Sequence, residues 1–367
     1  MMNPLAGSAV AINLPSTMNR LGRGMGMRWI GTALAAATLG WMSPAAAQTV
    51  PLEAKFDTIL GTEARAPRTF EARYETDFER RVAQLADGSL GRIGVMAIDL
   101  STGQEVSVLA DQRFPMASTS KIAIAATFLQ GVEQGRWSLT SEFPLLIPQR
   151  SARFSTAVAP VSQGPYQSAQ ALIDAMIARS SNPATDALLR VVGGPQAVNG
   201  WMHRNGIREF RLDRDIATLV RDDGEFDPAN HVDLRDSASP RAMAEFLRGV
   251  YQGKYLSPTS RQVLLNAMRK TVTGKRRIRA GMPMSANVLH KTGSLNNTSS
   301  DVGIIETPDG RAIAVAIYVT GQGSRMGREA KIAAIARALY EGYEAAGKTR
   351  RLVQTDVGAP VAGRSAH

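Results

Sequence analysis

The feature that most limits the fold is where strand-like sequence falls. Apolar runs of strand length occur at 93–100, 105–109, 287–291, 302–307 and 312–320, on either side of a long helical middle. Ser101-Thr102-Gly103 separates the first two as a hairpin turn, and Pro308-Asp309-Gly310 separates the last two. From Ser118 to about Met268 the apolar spacing is helical, in segments 122–133, 169–177, 184–192, 195–205, 240–252 and 258–268, each bounded by Pro, Ser, Asn or Gly. Helices are also expected at 70–85, where Phe78, Val82 and Leu85 recur among charges, and at 328–343. Strands at both ends of the pattern predict one antiparallel sheet assembled from N- and C-terminal parts and flanked by helices. The middle would be an inserted all-helical lobe, giving an α+β fold with its cleft between the lobes.

The ends of the chain depart from this pattern. Residues 29–42 are apolar, follow Arg20, Arg23 and Arg28, and lead into Ala45-Ala46-Ala47 before Gln48. That is the layout of a secretory signal peptide over 1–47, cleaved near Ala47, in a periplasmic or secreted protein. The apolar run, about 14 residues, is shorter than the roughly 20 a spanning helix needs. An uncleaved anchor is the alternative, since Trp29 and Trp41 could sit at two interfaces, and Met18, Met25 and Met27 are alternative starts. Residues 48–68, with Pro51 and Pro67, read as a linker, and 347–367 as a disordered tail. The catalytic domain is then 69–346, with a sheet lobe of 69–117 and 271–346 and a helical lobe of 118–270.

Composition removes several chemistries. With no cysteine there is no disulfide, thiolate metal site or cysteine nucleophile, and four scattered histidines do not make a zinc site, so neither metal nor cofactor is expected. The net charge is +11, but three of these charges lie in 1–47 and three in 347–367, leaving +5 on 48–346. No zinc-finger, RNP-like or helix-turn-helix pattern accompanies the charge, so nucleic acid is not the expected partner. The basic run of Arg269, Lys270, Lys275, Arg276, Arg277 and Arg279 reads as a solvated face, and Met96, Met116, Met243 and Met268 as core.

Ser118-Thr119-Ser120-Lys121 leaves a strand and enters an apolar helix. A serine there is near helix-terminal N–H groups that can stabilise an anion, and the lysine one turn on can take its proton when desolvated and neutral. Ser180-Ser181-Asn182 lies between two helices, and Lys291-Thr292-Gly293-Ser294 on a C-terminal strand. In this order the three segments resemble the Ser-x-x-Lys, Ser-x-Asn and Lys-Thr-Gly motifs of serine penicillin-recognising enzymes. Residues 70–343 are similar to class A β-lactamases, with Arg211-Leu212-Asp213-Arg214 and Ser239-Pro240-Arg241-Ala242-Met243-Ala244 in register.

The resemblance implies a DD-peptidase/β-lactamase-like fold and a residue-by-residue assignment. Ser118 would attack the carbonyl, Lys121 would share its proton, and Ser180 would pass a proton to the leaving nitrogen. Asn182 would hold the acyl-side amide, and Lys291 and Thr292 the substrate carboxylate. The N–H groups of Ser118 and Ser294 would form the oxyanion hole, and Gly293 would let the strand backbone approach the substrate. A Ser-His-Asp triad is the rival, but His290 should point away from Lys291, His367 lies in the tail, and His203 and His231 sit in no motif.

The resemblance breaks after Arg214. The family's loop carries a glutamate that activates the deacylating water and an asparagine that helps hold it; here the aligned residues are Ile216 and Val220, and Ser181 replaces the usual aspartate. The loop is also long and acidic, with Glu225 and Asp222 as candidate replacement bases, and Arg214 and Asp236 are expected to close its ends with an ion pair. Three activities compete: a secreted class A-type hydrolase opening β-lactams through Ser118, a D-alanyl-D-alanine peptidase or esterase on the same site, and a penicillin-binding sensor acylated once. All take a small β-lactam or peptidoglycan-like acyl-D-Ala substrate, and a monomer is expected.

Overall fold

Thr76 opens the first helix, α1 (Asp77–Leu85): its hydroxyl accepts from the Glu79 N–H while the Glu79 carboxylate takes the Thr76 N–H. This reciprocal cap starts the helix at 77, later than the expected 70. The structure is a computed structural model that describes residues 74–357, all within the unit Val50–His367. The expected signal peptide and linker, and residues 358–367 of the expected tail, lie outside the described residues.

The hairpin β1 (Ile93–Asp99) and β2 (Glu105–Val108) follows, then the short β3 (Phe114–Pro115), a 3₁₀ turn (Ala117–Ser120) and α2 (Lys121–Glu133). A second hairpin comes next, β4 (Glu142–Pro148) and β5 (Val161–Ser168). The chain continues through α3 (Ala169–Ala178), α4 (Asn182–Val192), α5 (Gly194–Arg204), β6 (Phe210–Arg211), α6 (Ile216–Arg221), β7 (Ser237–Ala238), α7 (Pro240–Tyr251) and α8 (Pro258–Arg269). Last are α9 (Ile278–Gly281), β8 (Asn287–Leu295), β9 (Thr298–Glu306), β10 (Ala312–Thr320) and α10 (Arg325–Val357). Serines 168, 181, 239 and 257 accept N–H groups at the starts of α3, α4, α7 and α8, which is why those boundaries were legible.

The main sheet runs β2-β1-β10-β9-β8, antiparallel throughout, with Ile93 opposite Val319 joining the two ends of the pattern. Both faces of β1 are buried, which accounts for its unbroken apolar run. Met96 and Ile98 face a core with Phe114, Phe128, Trp201, Phe246 and Tyr318. Val95 and Ala97 face a second core with Ile317, Ile332, Ile335, Leu339 and Tyr343. Met116, Met243 and Met268 lie in the first core as expected.

Two expectations are corrected. The lobe over 118–270 is not all-helical: it holds the β4–β5 hairpin, and β6 and β7 join β3 in a small sheet of order β3-β7-β6. Pro144, Pro148, Gly164 and Pro165, together with a register shift between Pro144 and Leu146, hide the alternation of β4 and β5 in the sequence. The tail is also shorter than expected, because α10 continues through residue 357 instead of ending near 343. Among the described residues no helix is long and apolar enough to cross a membrane.

Candidate active site

Ser118 sits half-buried in the 3₁₀ turn that joins β3 to α2. The turn is bent by Ala117, whose φ of 49° is unusual for a non-glycine residue, and is anchored where the Met116 N–H donates to the Asp236 carbonyl at 3.0 Å. β8 packs directly on this turn. A Cβ on Gly293 would lie 2.7 Å from the Met116 carbonyl and 2.4 Å from Ser300 Oγ, so the turn carrying Ser118 by itself already requires glycine at this place.

Lys121, fully buried at the start of α2, donates from Nζ to the Ser180 carbonyl at 2.8 Å, to Ser180 Oγ at 3.3 Å and to Asn182 Oδ1 at 2.7 Å. Lys291 on β8 reaches the same hydroxyl from the other side, Nζ to Ser180 Oγ at 3.0 Å, and also donates to the Thr292 carbonyl at 2.9 Å. Ser180 Oγ therefore bridges the two lysines, presented by a backbone at φ 60°. Burial first, and then the like charge of Lys291, holds the Lys121 ammonium well below the usual lysine range. Burial, with Arg277 adding, lowers Lys291 to about 7. Ser181 takes a structural task, capping α4 through the Ala184 N–H at 3.3 Å.

Thr292 Oγ1 lies 2.7 Å from Thr273 Oγ1, and Ser294 is exposed at the end of β8. The expectation of a solvated basic run fails at Arg277. Its guanidinium is 1% exposed and donates to the Gly293 carbonyl at 2.7 Å, the Ser300 carbonyl at 2.8 Å and Ser294 Oγ at 2.6 Å, with Glu329 at 3.1 Å as its ion partner. Lys275, Arg276 and Arg279 are exposed. His290 is buried and bound through Nδ1 to Asp301 at 2.9 Å.

Arg214 Nε meets Asp236 Oδ2 at 2.6 Å across the neck of the loop, and the other carboxylate oxygen accepts the N–H groups of Asp213 and Arg214. Inside the loop the candidate bases are otherwise engaged. Asp222 pairs with Arg221 at 2.7 Å and accepts the Phe154 N–H, and the Arg221 guanidinium keeps its carboxyl below the usual range. Glu225 pairs with Arg235 at 2.7 Å. Both line a cavity of about 60 Å³ whose walls include neither Ser118, Lys121 nor Ser180. A different cavity, about 380 Å³, borders Asn182, and Ile216, Ala217 and Val220 form its loop side with no acid among its lining residues.

A family model described as the β-lactamase enzyme family matches residues 77–343. The chain belongs to the β-lactamase enzyme family. It is 32% identical over 273 residues to β-lactamase CTX-M-8 of Citrobacter amalonaticus, covering 73% of this chain and 89% of that one. It is 29% identical over 244 residues to β-lactamase SME-1 of Serratia marcescens, covering 66% and 80%. Among solved structures, a β-lactamase from Chitinophaga pinensis DSM 2588 superposes with a TM-score of 0.65 at 26% identity, covering 73% of this chain and all of the other. The last common ancestor of Gram-negative class A β-lactamases gives 0.62 at 33%, covering 73% and 100%. The α+β fold and a β-lactamase-like serine hydrolase follow for this chain.

Two polar residues in this β-lactamase went unread in the sequence. Arg277 hid within a basic run, and its acid partner is 52 residues away. Asp186 is 3% exposed on α4 and accepts the N–H of Ile216 at 2.7 Å and of Ala217 at 2.9 Å. Its spacing four residues beyond Asn182, on the same helix face, was the signal available.

Proposed function

We propose that this β-lactamase forms an acyl-enzyme at Ser118 readily and clears it slowly. Ser118 Oγ bonds to the lactam carbonyl carbon while its proton passes to neutral Lys121. The N–H groups of Ser118 and Ser294 take the oxyanion. When the ring C–N bond breaks, the nitrogen takes the proton of Ser180, and Lys121 restores that proton. Lys291 and Thr292 hold the substrate carboxylate, and Asn182 the acyl-side amide. The observation that carries this reading is the Ser180 hydroxyl held between Lys121 and Lys291 at 3.3 and 3.0 Å, a proton path closed before substrate arrives.

Deacylation lacks a comparable group, because Ile216 and Val220 border the cavity beside Asn182. Loss of a positioned general base costs about 10²–10⁴ in rate. The same acid-free cavity favours a second activity, attack on acyl-D-alanyl-D-alanine peptides, since enzymes of that kind work without the loop glutamate. The leader at 29–47 supports export, with action on substrates outside the cytoplasm. A fluorescent penicillin should label wild type and not Ser118→Ala, with both proteins melting alike; equal labelling would end the assignment. Intact mass over time then separates sustained turnover from a lasting adduct, and D-alanine release from a peptide reports the second activity.

A further inference from the structure

The cavity of about 380 Å³ that begins at Asn182 has cations and no acid on its walls. One wall is the stretch of chain that follows β4, and the other is α6. Both are fixed in place. The Gln149 N–H donates to the Pro160 carbonyl at 2.8 Å and its Nε2 to Ser162 Oγ at 2.8 Å, which holds the strand end from which Arg150 and Ser151 leave. Across the gap the Ala159 N–H donates to Thr218 Oγ1 at 2.8 Å, and Arg221 Nη2 to the Thr156 carbonyl at 2.7 Å. A space tied on both sides is formed before a ligand enters it.

Two polar groups on these walls are unspent. The Arg150 side chain is exposed and has neither an ion partner nor a hydrogen bond among the described residues. Ser151 Oγ is enclosed and likewise has no hydrogen-bond partner. Arg221, the other cation, is already committed, with Nε and Nη2 on Asp222 at 2.7 and 2.8 Å and Nη1 on Thr156 Oγ1 at 2.9 Å. The acids that follow it, Asp222, Asp223 and Glu225, line the other cavity. An anion in the space beside Asn182 therefore meets a free guanidinium and a free hydroxyl, with no like charge on the walls.

We propose that this cavity is a subsite for an acyl arm bearing a carboxylate, held by the Arg150 guanidinium and the Ser151 hydroxyl. The inference rests on the reading that Ser118 is acylated while Asn182 holds the acyl-side amide, because the group attached to that amide then continues into the cavity. The carboxylate belongs either to the side chain of a β-lactam or to an acidic residue of a peptide ending in D-alanyl-D-alanine, and the same two groups recognise both. Arg150 and Ser151 touch the arm and not the reacting atoms, so they select substrates and take no part in proton transfer.

Benzylpenicillin and carbenicillin differ by one carboxylate on the acyl arm, ionised at neutral pH. Their second-order rates of adduct formation are read by intact mass at neutral pH, with thermal melting as the check on folding. The ratio of the carbenicillin rate to the benzylpenicillin rate should fall about ten-fold in Arg150→Gln, as for the loss of one charge-assisted contact, and about three-fold in Ser151→Ala. Arg153→Gln is the control: it removes an exposed guanidinium of the same segment that does not line the cavity, and should change the ratio less than two-fold. A parallel pair of acyl-D-alanyl-D-alanine peptides, with Glu or Gln in the acyl part, is read by D-alanine release. A fall confined to the penicillins assigns the arm to a β-lactam, and one confined to the peptides assigns it to an acidic peptide. Ratios that stay put in both pairs for either variant overturn the proposal. An equal fall in Arg153→Gln also overturns it, since that is the response of a diffuse basic field. Wild type that forms no adduct and releases no D-alanine would overturn the Ser118 reading and this inference together, whereas an acylated wild type with unmoved ratios overturns this inference alone.

Discussion

The two walls of the cleft differ in kind. On the wall built from the 3₁₀ turn, α2, the start of α4 and β8, Lys121, Ser180 and Lys291 are buried or half-buried and tied to one another by bonds of 2.8 to 3.3 Å. On the loop wall, Ile216 and Val220 face the cleft. Four acids of that segment turn to arginines instead: Asp222 to Arg221, Glu225 and Asp233 to Arg235, and Asp236 to Arg214. On the proposed reading the first wall makes the ester, while the second holds its own shape. One half-reaction would then be kept while the other loses its base, because each half depends on a separate stretch of chain.

The strongest way to break this contrast is to give the loop wall an acid. Ile216→Glu, with Val220→Asn to help hold water, should speed deacylation by about 100-fold and leave acylation near its wild-type rate, as read by intact mass after a pulse of penicillin. Glu at 216 would stand next to Asp186, and that like charge would raise its pKa toward the range useful for a base. A wild type that already clears its adduct within a second would erase the contrast.

A smaller effect is expected from Asp236→Asn, which tests whether the loop wall depends on its neck. Asn tolerates the φ of 49° at this position, so the change removes chiefly charge. Breaking a partly buried pair of this kind should cost about 3 kcal/mol in denaturant unfolding, and whatever turnover exists should fall more than acylation. Equal losses in both steps would mean that the neck also supports the Ser118 turn, to which it is tied through Met116.

The smallest effect should come from Glu225→Gln. The Arg235–Glu225 pair is 23% and 32% exposed, so its loss should cost under about 1 kcal/mol and change turnover less than twofold in a hydrolysis assay. If hydrolysis disappeared instead, Glu225 would be a base that swings out of its ion pair, and the loop wall would be catalytic after all.

The neck pair itself was legible because Arg214 and Asp236 flank the loop in a recognisable register, and the Ser118, Ser180 and Lys291 segments because each combines a special residue with a strand or helix boundary. Arg277 was not: a guanidinium in a run of six basic residues has the same sequence signature whether it is solvated or sealed under a strand. Only the distant Glu329 and the carbonyls of Gly293 and Ser300 distinguish the two.

By itself the sequence determined the strand–helix–strand order, the helix starts set by capping serines, and the residues able to exchange protons, since these depend on local periodicity and on side-chain chemistry. Tertiary structure alone decided that β4 and β5 pair with each other, that α10 runs on through residue 357, and that Asp222 and Glu225 are spent on arginines. It also decided that Asp186 is sealed behind the loop, with its carboxylate on the N–H groups of Ile216 and Ala217. These outcomes turn on which distant groups share a low-dielectric space, and burial and pairing across tens of residues leave no periodic trace along the chain.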